Sequence, residues 1–188
     1  MSFLSALLLG SSALLMAAPA SAQQALVPAQ SSISFTAKQM GVPLQGHFKK
    51  FTAQVAFDAS KLASSKIRFA IDTGSATLGS KETDAELPKA VWFNVAQFPQ
   101  ALFESTSIKA LGAGKLEVAG KLTIKGQARD VVVPVALSQN GDTTTATGTV
   151  ALKRLAYKIG ENEWADTSMV ADDVQVQFKL ALTGVGKL

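Results

Sequence analysis

The sequence predicts an all-β protein built from roughly eight antiparallel strands. Three observations carry this: apolar and polar residues alternate with a period of two through most of the chain, tight-turn dipeptides separate the alternating runs, and long helical periodicity is missing. Ser31 to Lys38 places Ile33, Phe35 and Ala37 on one face and Ser32, Ser34, Thr36 and Lys38 on the other. From Gly46 to Asp58 the alternation continues through Ala53, Val55 and Phe57. Its phase slips at Lys49-Lys50, since Phe48 and Phe51 differ in parity, and a bulge or sharp bend would absorb the slip. Ile67, Phe69 and Ile71 form the next face.

The second half reads as a run of hairpins. Phe103 to Leu111 is separated by Gly112-Ala113-Gly114 from Leu116, Val118, Leu122 and Ile124. Lys125-Gly126 turns the chain into Val131, Val133, Val135 and Leu137. Asn140-Gly141, the strongest short hairpin signal, leads to Ala146, Gly148, Val150 and Leu152. Val174, Val176, Phe178, Leu180 and Leu182 make the last face. Pro134 has no amide hydrogen for a ladder, so it belongs at an edge, a bulge or a place where strands splay. A two-sheet sandwich and a closed barrel both suit this pattern; tight turns between long strands favour the barrel. Residues 80–99 break the alternation. Thr83 to Leu87 suits a short helix stopped by Pro88, and Val91, Trp92, Phe93, Val95 and Phe98 then crowd into a folded connection lying against the barrel.

Met1 to Ala22 carries no charged side chain, has an apolar centre rich in Leu and Ala, and ends in Ala20-Ser21-Ala22, the small-x-small pattern of a signal-peptidase site. The apolar run is shorter than the about 20 residues of a membrane-spanning helix. Residues 1–22 are therefore expected to be a cleaved signal peptide, residues 23–188 a single domain, and the mature chain periplasmic. The chain has no cysteine. This excludes a disulfide framework, a thiol nucleophile and cysteine-held metal or iron–sulfur sites. The net charge of +4 comes from lysines and acids interspersed along the chain, with only Lys49-Lys50 as a local basic cluster, so no nucleic-acid footprint is present.

The catalytic inventory is short. His47 is the single histidine and has no neighbouring motif that would make it a general base or part of a zinc set. No nucleophile elbow or S-x-x-K stands out. Asp172-Asp173 point to opposite strand faces, and Glu161, Glu163 and Asp166 lie in a loop without a recognisable cation motif. No cofactor is implied. What remains is the interior. A small barrel either fills its centre with side chains or holds one small ligand, and the inward set here mixes Ala37, Ala53, Ala146 and Gly148 with Phe35, Phe57, Phe69 and Phe178. Periodicity alone leaves cavity and filled core open.

Several segments, taken in order, resemble the YceI-like family of lipocalin-like, polyisoprenoid-binding proteins. They are SSISFTAKQMGVPLQGHFKKFTAQVAFD from Ser31, Ile71-Asp72 with Ser75, FNVAQFPQALFESTSI from Phe93, GKLTIKGQARDVVVPV from Gly120, and Arg154 to Gly160 leading into VADDVQVQFKLAL. The likeness runs from Val27 to Thr183. It implies an extended antiparallel eight-stranded lipocalin-like barrel, closed near residues 80–99, with an apolar tunnel for a prenyl chain or another long lipid such as an isoprenoid quinone. It implies binding rather than catalysis. The expected ligand-binding residues are Phe35, Phe57, Phe69 and Phe103 along the tunnel, with Trp92, Phe93 and Phe98 gating its mouth or bracing the barrel. Arg154 is expected to satisfy a buried polar group or carboxylate near one end, or to make a structural salt bridge. The resemblance leaves room for a transient contact with a membrane surface or a membrane cytochrome, and for a homodimer. The sequence departs from the family in carrying Gln30 and Gln39 where relatives often carry histidines. A stress-related structural domain with a filled core, and a hydrolase acting on an envelope lipid, are the competing readings.

Overall fold

The alternation is realised as one strongly curled antiparallel sheet. The computed structural model describes residues 24–188, and the expected signal peptide lies outside them. The strands are β1 (Ala25–Leu26), β2 (Ser32–Gln39), β3 (Val42–Phe48), β4 (Phe51–Ala56), β5 (Lys66–Asp72), β6 (Ala76–Thr77), β7 (Gln100–Gly112), β8 (Lys115–Ile124), β9 (Gln127–Asn140), β10 (Thr143–Lys153) and β11 (Asp173–Thr183). A single short helix, α1, spans Lys81–Glu86 among the described residues. Neighbours run in the order β4-β5-β7-β8-β9-β10-β11-β2-β3-β6, with β1 alongside β11. The antiparallel class is as expected. The count of eight is not: eleven strands are present among the described residues.

Two physical reasons account for the difference. First, β3 and β4 are one long strand broken at the Lys49-Lys50 slip. The bend is fixed by Ser75, whose carbonyl accepts from Lys49 N at 3.1 Å and whose hydroxyl accepts from Lys50 N at 3.0 Å. Turning the chain there lets Phe48 and Phe51, opposite in parity, both pack on the core side. Second, β1 and β6 are two residues long, too short to show any period. Beyond the bend, β4 leaves the β2–β3 ladder and runs beside β1. There the side-chain amide of Gln24 replaces a ladder pair: its Nε2 donates to Phe57 O at 2.6 Å and its Oε1 accepts from Phe57 N at 2.8 Å.

Pro134 sits where strands part. The β9–β10 ladder runs from Thr143↔Asn140 to Gly148↔Val135 and stops there. Past that point the two strands diverge, and the chain from Arg154 to Asp172 occupies the gap. Arg154, 3 % exposed, holds this loop. Its guanidinium donates to five backbone carbonyls: Nε to Ala171, Nη1 to Ile159 and Gly160, Nη2 to Trp164 and Val170, at 2.6–3.1 Å. The expected salt bridge is not made. Among the described residues no carboxylate lies within ion-pair distance of Arg154; Asp172 spends its Oδ1 on Leu155 N. Burial pushes the guanidinium below its ordinary value, and the Asp172 charge opposes that. The reason for the carbonyl solution is local: a tight loop turns its C=O groups inward, where each needs a donor, and arginine offers five in one plane.

The 80–99 connection covers the other opening. Ser80 Oγ caps α1 by accepting from Thr83 N at 3.3 Å. Asp84 ties the helix to the sheet, accepting from Thr77 Oγ1 at 2.5 Å and Leu78 N at 2.6 Å. These hydrogen bonds, led by the Thr77 hydroxyl, hold the Asp84 carboxyl below its usual 3.8. The two covers meet where Gly160 N and Glu161 N donate to Val91 O, and where Trp92 packs on Trp164 with ring centroids 5.5 Å apart.

Two outcomes follow. Arg154→Lys keeps the charge but has three donors for five carbonyls, so we expect a loss of roughly 3 kcal/mol and a fall of about 10 °C in thermal midpoint. A midpoint within a degree or two of the parent, read by circular dichroism, would contradict the role given to the guanidinium. Because the folded Asp84 carboxyl titrates below its unfolded value, its contribution is complete above about pH 4 and is lost as pH falls through the lower folded value. Asp58 and Asp166 shift the same way, so the readout must be local. The protection factors of the α1 amides, which correct for the intrinsic pH dependence of exchange, should fall on acidification in the parent and lose that dependence in Asp84→Asn.

Candidate ligand cavity

Inside the curl lies a cavity of about 360 Å³. It is built by strand faces that sequence alternation had already oriented: Ile33, Phe35 and Ala37 of β2, Val55 of β4 with Phe57 after it, Ile67, Phe69 and Ile71 of β5, and Val174, Val176, Phe178, Leu180 and Leu182 of β11 all line it. The mixture of small and large inward residues therefore leaves space rather than a filled core.

Three glycines explain how seven phenylalanines line that space without closing it. Gly148 stands opposite Phe178, and Gly46 opposite Phe35. A methyl group on Gly148 would fall 2.4 Å from the Phe178 ring, one on Gly46 2.3 Å from Phe35, and one on Gly120 2.5 Å from Phe103. Each ring therefore lies flat across a neighbouring strand instead of projecting into the lumen. Phe35 leans on Phe48 with centroids 5.4 Å apart, and Phe48 meets Phe93 edge-on at 6.0 Å. The pairing of phenylalanine with glycine across strands was not readable from the chain, since it depends on register. Gly148 was visible only as a small inward residue.

The cavity is blind at one end. There Phe57, Leu116, Leu182 and Val185, all buried, pack with Leu62. At the other end it meets solvent. Of all its lining residues, four are exposed: Lys38 and Gln39 at the end of β2, and Thr83 and Glu86 on α1. The rim is polar and its formal charges balance; Lys38 and Glu86 make no ion pair with each other. Of the two glutamines that the family resemblance singled out, Gln39 is thus a rim residue, whereas Gln30 is exposed in a 3-10 turn and does not line the cavity.

Seven of the eight sequence-derived residues line this space: Phe35, Phe57, Phe69, Trp92, Phe93, Phe103 and Arg154. Phe98 does not. It packs over Gly126, where an added methyl would come within 2.9 Å of its ring, and its carbonyl accepts from Thr73 Oγ1 at 2.9 Å. Of gating and bracing, its position is that of a brace. Arg154 contributes to the wall, but every N–H of its guanidinium is engaged by the loop carbonyls. Tyr157, missed in the sequence, also lines the wall, and burial pushes its phenol up. Lys125 was likewise read only as a turn residue. Its buried ammonium donates to Lys158 O at 2.6 Å and to Glu161 Oε2 at 2.9 Å, a second tie on the 154–172 loop. Glu161 is thereby occupied, and Asp166 bonds Ser168 through Oδ1, so two of the three loop acids serve local structure. His47 is exposed on β3, opposite Ser34 and Thr77, away from the cavity.

Chemically, such a site offers shape and dispersion along nearly all its length, with exposed hydrogen-bonding side chains at its rim and Thr144, Arg154 and Tyr157 as buried polar side chains of its wall. Comparison with known proteins places it. The family model of the YceI-like domain matches residues 25–182. "Protein YceI" of Salmonella arizonae is 35 % identical over 111 residues, and that match spans 58 % of this chain and 58 % of the relative's length. The crystal structure of Burkholderia cenocepacia BcnA superposes with a TM-score of 0.80 at 46 % identity, covering 83 % of this chain and 98 % of that one. A polyisoprenoid binding domain from Saccharophagus degradans, implicated in plant cell wall breakdown, shares the fold with a TM-score of 0.70 at 13 % identity over 86 % of this chain and 98 % of its own. The curled sheet, the cavity and the matched span together make this chain a member of the YceI-like family.

Proposed function

We propose that the protein binds a long apolar lipid, a polyisoprenoid such as an isoprenoid quinone, lengthwise in the cavity and carries it through the periplasm. One observation carries this reading: an apolar cavity, blind at one end, that reaches solvent only past four polar rim residues. A ligand suited to it is an apolar chain with one polar end. Each buried methylene contributes about 0.8 kcal/mol, so a chain of about ten buried carbons gains roughly 8 kcal/mol before the cost of ordering it. A rim with balanced charge suits a head group that is uncharged overall. The Saccharophagus domain, a polyisoprenoid binding domain, supports the ligand class by likeness of fold. Binding without turnover is favoured because, among the described residues, the titratable groups that line the cavity are Lys38 and Glu86 at the rim, Arg154, whose donors are spent on loop carbonyls, and Tyr157. The exported address rests on the N-terminal segment. It is supported by Gln24, which directly follows the expected cleavage region and is already locked to Phe57.

Protein purified from its native envelope, extracted with organic solvent and examined by mass spectrometry, should yield a stoichiometric prenyl lipid and a mature N-terminus at Gln23. Adding a prenyl quinone to delipidated protein should raise the melting temperature by mass action. Absence of both lipid and shift would end the carrier reading, and a cytoplasmic chain beginning at Met1 would end the periplasmic one. Ala146→Leu should fill part of the cavity. Ala146 is buried and lines the lumen, so the delipidated variant should melt within about 3 °C of the parent while most of the quinone-dependent shift disappears. An undiminished shift would place the ligand elsewhere.

A further inference from the structure

The apolar lining does not stop at the rim. On β3, Val42 continues the inward face one step beyond Leu44, which lines the cavity, and stands 65 % exposed. Met40 directly follows the rim residue Gln39 and is 69 % exposed; Met169 directly precedes the lining residue Val170 and is 41 % exposed. The two segments are stapled together, since Met40 N donates to Met169 O at 2.8 Å and Gln39 bridges Val170. From Gln39 to Leu44 the hairpin tip carries no charged residue. The remaining large exposed apolar side chains, Leu111, Val132 and Leu188, lie singly on other elements, as is ordinary for a protein surface.

The turn itself points the same way. Gln39 pairs with Val42, leaving a two-residue loop in which Met40 has φ +49° and Gly41 φ +79°. Two positive φ values define the hairpin turn for which Asn-Gly is the favoured pair. A long unbranched side chain is an uncommon occupant of that first position. Local folding preference therefore argues for asparagine there, and the chain instead presents a methionine to solvent. Methionine is flexible and polarizable, suited to irregular apolar surroundings.

We propose that the β2–β3 tip, with Met40, Val42 and Met169, inserts into the surface of a lipid bilayer and holds the cavity rim against it. The occupant is a bilayer rather than a protein because the exposed patch is continuous with the lining of the cavity. This inference rests on the lipid-binding reading: a prenyl chain leaving a membrane then passes from one apolar medium to the next past Val42 and Leu44. Its driving force is burial of apolar area rather than charge, since the tip is uncharged and the rim balances Lys38 against Glu86. Attachment should therefore persist in high salt.

The absence of cysteine allows a direct test. Met40→Cys, labelled with an environment-sensitive fluorophore, should shift its emission to the blue when phosphatidylcholine vesicles are added, at low and high salt alike. The double variant Met40→Asn with Val42→Thr suits the turn and the strand, so its melting temperature should match the parent. Its uptake of a short-chain quinone from free solution should be unchanged, while its uptake of a prenyl quinone carried in phosphatidylcholine vesicles should fall about tenfold or more. Unchanged vesicle uptake together with a silent label overturns the proposal. If neither protein takes up quinone from solution, the lipid-binding reading fails, and the label alone decides whether the tip enters bilayers. If the label shifts with protein concentration in the absence of vesicles, and the double variant turns a sedimenting dimer into a monomer, the patch is covered by a second copy of the chain and the bilayer proposal is overturned.

Discussion

The cavity wall depends on one buried cation. A curled sheet around a lumen must either pair its strands along their whole length or fill the places where they part, because unpaired backbone facing an interior has no water to satisfy it. In this fold the parting comes after Val135↔Gly148, and the filler is the loop from Arg154 to Asp172. Packing of Tyr157, Ala156 and Ile159 holds part of that loop but leaves its inward carbonyls without donors. Arg154 supplies what is missing, with five donors on five carbonyls, and it does so without a contacting carboxylate. The positive charge is met by the negative ends of peptide dipoles converging on it, with the Asp172 carboxylate contributing at longer range. Gly160, at φ +73°, allows its carbonyl to reach the guanidinium; an added methyl there would lie 2.4 Å from Nη1. The loop in turn supports Trp92 through Trp164 and Val91, so the cover over the second opening rests partly on the same cation.

How much of this was legible in the chain depended on the range of the interaction. Alternation is local, so the inward faces of β2, β5, β8, β10 and β11 could be read residue by residue, and seven of the eight chosen site residues line the lumen. The Lys49-Lys50 bend was legible as a phase slip, and Pro134 as a break in pairing, because each violates a local rule. The partners that fix those breaks were not legible. Ser75 at the bend is separated from it by 25 residues, and Arg154 signals a buried charge without saying that carbonyls will satisfy it. Phe98 was assigned by composition, since it belongs to an aromatic run. Composition does not say which side of a folded connection faces the lumen, and Phe98 faces Gly126 instead. The turn at Lys125 looked like a mere connection because its burial is set by elements distant in sequence, and Met40 carried no signal in the chain for the same reason.

The space itself is a product of register. Large aromatic side chains on an inward face would ordinarily meet at the centre of a small barrel and fill it. Here Phe35, Phe103 and Phe178 each lie against a glycine across the sheet, so the rings form a smooth layer and the middle stays open. The same glycines bring backbone close as well: at Gly148 the Pro134 carbonyl would lie 2.5 Å from an added methyl, and at Gly120 that of Glu104 would lie 2.6 Å away. Any side chain at those positions would press on both the ring and the neighbouring strand. Lumen width and sheet curvature are thus set together, and a one-residue slip of pairing would lose both.

A lumen made this way constrains what can occupy it more by length and polarity than by detailed contact. Its wall offers mainly rings and branched aliphatic groups, its floor is sealed by Phe57, Leu116, Leu182 and Val185, and its exposed hydrogen-bonding side chains stand at the single rim. Specificity must then come mainly from the end that stays near water, where Lys38, Gln39, Thr83 and Glu86 face one another across β2 and α1. Three of these are positions at which a substitution would alter charge or hydrogen bonding without touching the core, and the fourth, Thr83, also braces the helix cap, its Oγ1 donating to Ser80 O at 3.2 Å. The apolar wall can therefore stay as it is while the rim changes. At Gln39 an amide brings two hydrogen-bonding functions to the mouth and no group that titrates near neutral pH. On this reasoning the mouth, not the tunnel, is where substitution would tune what the cavity accepts.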